Sequence, residues 1–373
     1  MIVKKTEKTP PASTNPPPLK RFAEAPIDTL LKQNLERAGL ITPTPIQAAT
    51  IIPALGGKDI LGTAQTGTGK TLAFILPITQ KLMNSKGRGV ETLILVPTRE
   101  LAMQVLNTLR LIAKNSGLSA ALVVGGLSES KQLESIRRGA RIIIATPGRL
   151  NDYLRRRLVN LIPVKILVLD EADRMVDMGF LPQMRNIINN LTKDRQTMCF
   201  SATLQKSVAH LVHEYLRNPV RVEIGSVIKP VESVSLRVYQ VAREQKLALL
   251  LHLLEKEEGT FLVFTRTKFG AEKLSKKLVG RGINATVLHG GKSQSQRIRA
   301  LEGFKAGRHR VLVATDIVAR GIHIQGIAHV INYDMPQVTE DFIHRVGRTG
   351  RVEESGIATT FVMPEEIRDM QLI

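Results

Sequence analysis

A run of glycine and hydroxyl residues early in the sequence has the composition of a phosphate-binding loop. The run Ala64-Gln65-Thr66-Gly67-Thr68-Gly69-Lys70-Thr71 follows the apolar segment Asp59–Leu61 and precedes a predicted helix. Glycines let several backbone N–H groups converge on one phosphate, and the helix N-terminus adds its positive end. Lys70 can reach the β- and γ-phosphates, and the Thr71 hydroxyl can bind Mg²⁺. Ala64 stands where the usual pattern has glycine, so the run alone leaves a glycine-rich turn without a ligand as an alternative.

Two adjacent carboxylates follow an apolar run about a hundred residues after Lys70. The segment Val168-Leu169-Asp170-Glu171-Ala172-Asp173 has the composition of a buried strand that ends in acids. At a strand end, Asp170 can face Mg²⁺ while Glu171 addresses a water molecule. Hydrolysis of a phosphoanhydride needs a metal and a positioned water. Together with the glycine-rich run, this segment predicts an ATPase site.

The elements that must position these residues alternate regularly along the chain. Apolar, β-branched runs such as Thr92–Val96 and Ile166–Leu169 alternate with stretches of helical period such as Glu100–Ile112. A second series follows, with predicted strands such as Phe261–Phe264 and Val311–Ala314. This alternation predicts an α/β fold in which mostly parallel sheets carry helices on both faces.

Composition divides the chain into four segments. Residues 1–20 are rich in proline and poor in apolar side chains, so we expect a disordered tail. Residues 21–222 are predicted to form the first domain and residues 235–373 the second. Between them, residues 223–234 contain Gly225 and Pro230 and are predicted to be a linker.

Charge and cysteine content limit the class of protein. The 373 residues carry 53 Lys and Arg against 33 Asp and Glu, a formal net charge of +20, which favours a nucleic-acid partner. The single cysteine, Cys199, excludes an intramolecular disulfide, and we expect no structural zinc site. No apolar run approaches the ~18 residues that suggest a membrane span. These features predict a soluble, cytoplasmic protein.

The acidic segment Asp170-Glu171-Ala172-Asp173 spells the signature of the DEAD-box helicases, and other family motifs occur in the family's order. They are Gly39-Leu40-Ile41-Thr42-Pro43-Thr44-Pro45-Ile46-Gln47, Pro97-Thr98-Arg99-Glu100-Leu101-Ala102, Ser201-Ala202-Thr203 and His344-Arg345-Val346-Gly347-Arg348-Thr349-Gly350-Arg351. The chain thus resembles the DEAD-box ATP-dependent RNA helicases of superfamily 2, over the helicase core only. The resemblance implies two tandem RecA-like domains that clamp RNA while hydrolysing ATP.

The same resemblance assigns ATP-site roles. The residues implied to bind ATP are Phe22, Gln47, Thr66, Gly67, Thr68, Gly69, Lys70, Thr71, Asp316 and His323, with Thr71 and Asp170 as Mg²⁺ ligands. Phe22 would pack against the adenine, and the Gln47 amide would donate to N7 and accept from the N6 amine. Lys70 and Glu171 would be catalytic, together with Arg345 and Arg348 as arginine fingers. Because both arginines belong to the second domain, hydrolysis would require the domains to close.

The remaining motifs imply RNA contacts and coupling between the two activities. The implied RNA contacts are Pro97, Thr98, Arg99, Gly126, Thr146, Gly148, Arg149, Arg266, Gly290, Thr315, Arg320 and Gly321. The implied coupling residues are Asp173, Ser201, Thr203 and His344. Glycine backbones, hydroxyls and arginines suit the sugar-phosphate chain. The expected partner is therefore RNA, single-stranded or in a short duplex, bound without regard to sequence by a monomer.

Two departures from the family pattern matter, and the first keeps alternatives open. His323 stands where the family usually has an aspartate that contacts the ATP ribose, and Gln296 stands where glutamate is frequent. A histidine cannot act as a carboxylate, so ATP affinity or domain closure could be impaired. The leading interpretation is an RNA helicase; the second is an ATP-gated RNA clamp with poor turnover. A DNA translocase is a weaker third, since the family's contacts suit A-form geometry and 2′-hydroxyls.

Overall fold

The computed structural model describes residues 18–64, 67–87, 89–204, 206–224, 234–316, 327–336, 339–349 and 356–370. At residues 206, 207, 294, 340 and 344 it describes the backbone alone. Within these ranges the strands form one seven-stranded and one six-stranded sheet. Every strand pair in both sheets is parallel. Parallel strands all end at the same edge, so each sheet offers one edge at which loops can assemble a site.

The first sheet has the order β3-β4-β2-β5-β6-β1-β7. Its strands are β1 (Ile60–Ala64), β2 (Thr92–Leu95), β3 (Ala120–Val123), β4 (Ile142–Ala145), β5 (Ile166–Asp170), β6 (Gln196–Ser201) and β7 (Val220–Ile224). In the register, Asp170 of β5 pairs with Phe200 of β6, and Ser201 pairs with Thr63 of β1. The glycine-rich loop, the paired acids and the segment after Ser201 therefore leave the sheet side by side.

Helices cover both faces of the first sheet. They are α1 (Thr29–Arg37), α2 (Pro45–Leu55), α3 (Lys70–Asn84), α4 (Arg99–Ile112), α5 (Glu129–Arg137), α6 (Pro147–Arg155), α7 (Ala172–Asp177), α8 (Leu181–Asn189) and α9 (Lys206–Tyr215), preceded by a 3₁₀ turn at Phe22–Glu24. Ile94 and Val168 pack in the core under α1 to α4. Their neighbours Leu93 and Leu167 pack on the opposite face. Each strand thus feeds two cores, because successive side chains point to opposite faces.

The second sheet repeats the plan with the order β10-β11-β9-β12-β13-β8. Its strands are β8 (Val234–Gln240), β9 (Phe261–Phe264), β10 (Ala285–Leu288), β11 (Val311–Ala314), β12 (His329–Asn332) and β13 (Gly356–Val362). The helices described with it are α10 (Lys246–Lys256), α11 (Lys268–Val279), α12 (Gln294–Lys305), α13 (Thr339–Val346) and α14 (Ile367–Met370), with a 3₁₀ turn at Pro364–Glu366. Leu262 and Phe264 face one core, and Phe261 and Val263 face the other. The predicted α/β class with two parallel-sheet domains is confirmed.

The structure differs from the predicted segment boundaries at two places. Leu19, predicted to lie in the tail, is buried, and its N–H donates to the carbonyl of Ala48 at 3.0 Å. Strand β7 runs to Ile224 and β8 starts at Val234, so both ends of the predicted linker belong to sheets. Only Val222 of β7 is buried, which explains why an apolar pattern did not reveal this edge strand.

Among the residues described, no helix combines the length and the apolar character needed to cross a bilayer.

Candidate active site

The glycine-rich loop connects β1 to α3 in a conformation that requires glycine. Gly67 and Gly69 have φ angles of 88° and 89°, in the left-handed region that side chains disfavour. Helix α3 begins at Lys70, which is buried. Its Nζ donates to the carbonyl of Ala64 at 2.7 Å, so the ammonium is held against the loop itself. A positive charge, a helix N-terminus and turned backbone N–H groups thus meet at one point.

The start of α2 is tied to this loop by two side chains. The Thr44 hydroxyl donates to the carbonyl of Thr68 at 2.7 Å, and Gln47 Nε2 donates to the carbonyl of Gly69 at 2.9 Å. Gln47 Oε1 also accepts from the N–H of Thr44 at 2.9 Å, closing a capping box at the helix start. A primary amide has two donor hydrogens and two acceptor lone pairs. One donor and one acceptor of Gln47 therefore stay available for a ligand.

The two adjacent acids at the end of β5 are both buried but differ in charge balance. Asp170 is 2% exposed, and burial raises its pKa to about 7; the charge of Lys70 opposes this shift and that of Glu171 adds to it. Burial alone would also raise the pKa of Glu171. The charges of Arg174, Lys70 and Arg348 outweigh burial and hold the pKa of Glu171 below its ordinary value. Glu171 is thus kept as a carboxylate, whereas the charge of Lys70 does not fully offset the burial of Asp170, whose ionised form a further cation would stabilise.

Arg174 is a site residue that the sequence interpretation missed. Its Nη1 lies 2.9 Å from Glu171 Oε2, and both side chains are almost fully buried. Glu171 has a φ of 53°, which is a left-handed conformation, and it immediately precedes α7. Arg174 lies in the first turn of that helix. The sequence signal that could have revealed this ion pair was the spacing of three residues between Glu171 and Arg174 at the start of a helix.

Asp173 connects the acidic segment to the end of β6. Its Oδ2 accepts hydrogen bonds from the N–H of Ala202 at 3.0 Å and from the N–H of Thr203 at 2.9 Å. The Thr203 hydroxyl donates to the same oxygen at 3.2 Å, and the Ser201 hydroxyl donates to the carbonyl of Thr203. The structure therefore brings together three of the four predicted coupling residues. For the fourth, His344, only the backbone in α13 is described.

A cavity of about 450 Å³ joins these groups and receives residues from both domains. Its polar lining includes Gln47, Gly67, Gly69, Lys70, Thr71, Asp170, Glu171 and Arg348. Arg348, from the second domain, is 4% exposed and acts electrostatically on Glu171. Phe22 does not line this cavity; it is buried in the core of the first domain, so its contact with a base stays a prediction.

Arg345 behaves differently from the predicted arginine finger. Its guanidinium makes a two-pronged contact with Asp316, at 2.7 and 2.8 Å, and further donates to Asn332 Oδ1 and to the carbonyl of Asp334. It also lies 5.0 Å from the ring centre of Phe264 and is 2% exposed. These contacts commit Arg345 to the interior of the second domain. The structure thus corrects the prediction for Arg345, and Asp316, predicted to bind ATP, is the carboxylate that holds it.

The predicted RNA contacts of the first domain lie at the ends of strands β2, β3 and β4. Pro97 and Thr98 follow β2, and the Thr98 hydroxyl accepts from the N–H of Leu101 to cap α4. The guanidinium of Arg99 lies against the turn Gly125–Gly126, where a side chain at either glycine would collide with it. Thr146, Gly148 and Arg149 lie at the start of α6, and Arg149 is 3.5 Å from Glu129.

An ion pair joins α4 to α12 across the two domains. Arg297 Nη2 lies 2.7 Å from Glu100 Oε2, and both side chains are nearly buried. This contact places the start of α12 beside the predicted RNA-binding segment of the first domain.

In the second domain the predicted RNA contacts also lie at strand ends. Arg266 follows β9, Gly290 follows β10 and Thr315 follows β11. Arg266 Nη2 donates to Glu366 Oε1 at 3.2 Å, and the side chain is 47% exposed. The predicted residues Thr66, Arg320, Gly321 and His323 lie outside the described residues.

Comparison with known proteins matches both halves of the chain to family models. Residues 44–211 match the DEAD/DEAH box helicase model, and residues 245–353 match the helicase conserved C-terminal domain. The chain is 41% identical over 360 residues to the ATP-dependent RNA helicase vasa of Drosophila melanogaster, across 95% of this chain and 54% of vasa. The chain spans between 54% and 60% of the curated relatives it matches.

Solved structures share the fold and differ in how well the whole chain superposes. S. cerevisiae Dbp5 bound to RNA and ADP BeF3 matches with a TM-score of 0.84 at 31% identity, over 95% of this chain and 92% of that one. The RNA helicase Prp28 of Chaetomium thermophilum bound to ADP matches with a TM-score of 0.55 at 35% identity, over 96% and 88%. The higher score belongs to the less identical sequence.

Replacing Asp170 by Asn should stabilise the ligand-free protein most at alkaline pH. Because the pKa of this carboxyl is raised in the folded state, the folded protein releases its proton later than the unfolded chain. The Asp170 carboxyl lowers the free energy of unfolding only slightly near pH 4. This loss grows as the pH rises to about 7 and stays constant above that. Thermal melts at pH 5 and pH 8 should show a larger gain in Tm for Asp170→Asn at pH 8. An equal gain at both values would contradict the raised pKa.

Conservative substitutions of Arg345 and Arg348 should have different effects. Arg345→Lys loses the two-pronged contact with Asp316 and should lower the stability of the second domain by about 1–3 kcal/mol. Arg348→Lys changes a residue that lines the cavity and should reduce kcat with little change in stability. Urea unfolding and steady-state ATPase kinetics measure both effects. If Arg345→Lys lost kcat while its unfolding curve stayed unchanged, the structural assignment of Arg345 would be wrong.

Proposed function

Because the chain belongs to the DEAD/DEAH box helicase family, we propose that it is an ATP-dependent RNA helicase that couples ATP hydrolysis to local duplex unwinding or to remodelling of RNA–protein complexes. The observation that carries the proposal is the shared cavity, in which Lys70 and Glu171 of the first domain face Arg348 of the second. Such a site is complete only when the domains are together. Hydrolysis is therefore conditional on whatever closes them.

The roles of the charged groups follow from their positions. Lys70 binds the β- and γ-phosphates at the start of α3, where the helix N-terminus also favours negative charge. Glu171, kept ionised by its cationic neighbours, accepts a proton from and orients the attacking water. Arg348 stabilises the charge that develops on the transferred phosphoryl group. Arg174 orients the Glu171 carboxylate through their buried ion pair.

The residues beside the glycine-rich loop fit a magnesium ion. Asp170 is a carboxylate whose burial outweighs the nearby charge of Lys70, and Thr71 adds a hydroxyl oxygen at the first turn of α3. Mg²⁺ prefers oxygen ligands and takes few from the protein, completing its shell with water and substrate phosphates. When bound, Mg²⁺ would neutralise phosphate charge; Asp170 and Thr71 would hold it.

The specificity for adenine rests on Gln47. Its amide uses one hydrogen and one lone pair to connect α2 with the glycine-rich loop. The remaining donor and acceptor are the pair that the N7 and N6 groups of adenine require. Since the same side chain contacts Gly69, nucleotide binding and loop position would be linked through it.

The RNA would lie across the strand ends of both domains. Turned glycines, hydroxyls and arginines collect there, including Arg99, Gly126 and Arg149 in the first domain and Arg266 in the second. Contacts of this type bind the sugar-phosphate chain and carry no sequence information. The close match to Dbp5 in its complex with RNA and ADP BeF3 supports this arrangement of the two domains. A monomeric, cytoplasmic protein stays the prediction from the sequence.

His323 favours a second candidate, an ATP-gated RNA clamp with slow turnover. The histidine replaces the family's ribose-binding aspartate, while Lys70, Glu171 and Arg348 are all present. In that case the protein would bind RNA with ATP but release it slowly.

The proposed function is tested with two substitutions that stop hydrolysis in different ways. Glu171→Gln keeps the shape of the site and removes the base, so ATPase activity should fall by at least about a hundredfold while ATP-dependent RNA binding persists. Lys70→Ala removes a phosphate contact, so both ATP binding and ATP-dependent RNA binding should weaken. ATPase assays and RNA binding with and without ATP separate the two.

Glu134→Gln provides the matched control for this experiment. Glu134 lies on the surface of α5, paired with Arg138 and far from the cavity lining. This variant should behave like the parent in both assays. ATP hydrolysis by Glu171→Gln at the parent rate would contradict the assignment of Glu171.

A further inference from the structure

The most exposed large apolar side chain among the described residues is Phe269, with 76% of its surface accessible. It is the second residue of α11, and its position is fixed by a cap, because the Thr267 hydroxyl accepts from the N–H of Gly270 at 3.0 Å. The ring belongs to neither core of the second domain. Leaving a phenylalanine in water forgoes the stabilisation that burial would give. A rigid backbone therefore presents this ring outward.

One cation lies next to the ring, and two more lie at the same strand ends. Lys268 Nζ lies 5.2 Å from the ring centre. Arg266 precedes the cap with an exposed side chain, and Lys292 lies in the loop after β10. Glu366 pairs with Arg266, and Glu272 pairs with Lys292. Within the part of the chain that the structure describes, no carboxylate forms a salt bridge with Lys268.

Lys268, the neighbour of Phe269 in the chain, lies beside the turn after β10. The aliphatic chain of Lys268 comes within 3.7 Å of the place where a side chain at Gly291 would start. His289 supports this turn, because its Nδ1 accepts from the N–H of Gly291 at 3.1 Å while its Nε2 contacts Glu272 of α11 at 3.0 Å. At Gly290 the space that a side chain would fill is open. The start of α11 and this glycine turn thus form one continuous surface at the strand ends of the second sheet.

We propose that Phe269 is a stacking platform for one nucleobase of bound single-stranded RNA, with Lys268 contacting the adjoining phosphate. An aromatic ring next to cations is the arrangement that binds single strands, because any base can stack while the cations follow the backbone. The inference rests on the proposed function and adds a contact to a base where the other expected contacts are to sugar and phosphate.

A protein partner fits this surface less well than RNA. Protein-docking aromatics cluster with other anchor side chains in well-packed pockets, whereas the group observed next to the ring of Phe269 is the ammonium of Lys268. The next strongly exposed apolar residue on α11 is Val279 at its far end, about 15 Å along the helix axis. Among the described residues of α11, no second strongly exposed apolar side chain therefore lies close to Phe269.

The test compares RNA with and without bases. Phe269→Ala, Phe269→Tyr and the control Val279→Ala are measured by fluorescence anisotropy in ADP–beryllium fluoride. The ligands are a labelled oligouridine and a ribose-phosphate oligomer of equal length that lacks bases. Phe269→Ala should weaken binding of the oligouridine by about five- to a hundredfold and leave binding of the abasic oligomer unchanged. Phe269→Tyr and Val279→Ala should match the parent, and all variants should keep the parent Tm.

Two results would overturn the inference while leaving the proposed function intact. Unchanged oligouridine affinity in Phe269→Ala would show that the ring contacts no base and would favour a protein partner. An equal loss for both oligomers would show that the ring acts on the backbone. A parent that binds neither oligomer would instead contradict the proposed function and, with it, this inference.

Discussion

Two adjacent carboxylates lie buried at the end of β5, and the charges around them govern the rest of the site. Burying an ionised acid is costly unless cations and hydrogen bonds compensate it. Glu171 receives this compensation from Arg174 on its own segment, from Lys70 on α3 and from Arg348 of the second domain. Asp170 receives less, and burial raises its pKa to about 7. The site thus holds one carboxylate ready to act as a base and another ready to bind a cation.

Each motif of the site is tied to another by contacts at defined distances. Gln47 connects α2 to the glycine-rich loop, and Asp173 connects the acidic segment to Thr203 at the end of β6. Glu100 and Arg297 connect the two domains beside the segments at which RNA contacts are predicted. The parallel sheets make these contacts possible, because strands β1, β5 and β6 are neighbours that end at the same edge. The nucleotide site is therefore linked by direct contacts to the segments for which RNA binding is predicted.

Apolar runs in the sequence predicted most of the strands, but not the edge strand β7. Strand β9 has the predicted bounds, Phe261–Phe264, because all of its residues are buried. Strand β7 was missed because it is an edge strand, mostly exposed. Arg345 was assigned to catalysis because a linear motif does not reveal which of its arginines turns inward. The ion pair of Arg174 with Glu171 and the exposed ring of Phe269 also depend on side-chain directions that spacing alone does not give.

In the proposed function, hydrolysis needs residues from both domains, and RNA brings them together. The decisive measurement is the steady-state ATPase rate at saturating ATP, with and without single-stranded RNA. We expect RNA to raise kcat severalfold or more and DNA of the same sequence to do so much less. An ATPase rate that is the same with and without RNA would contradict the proposed function.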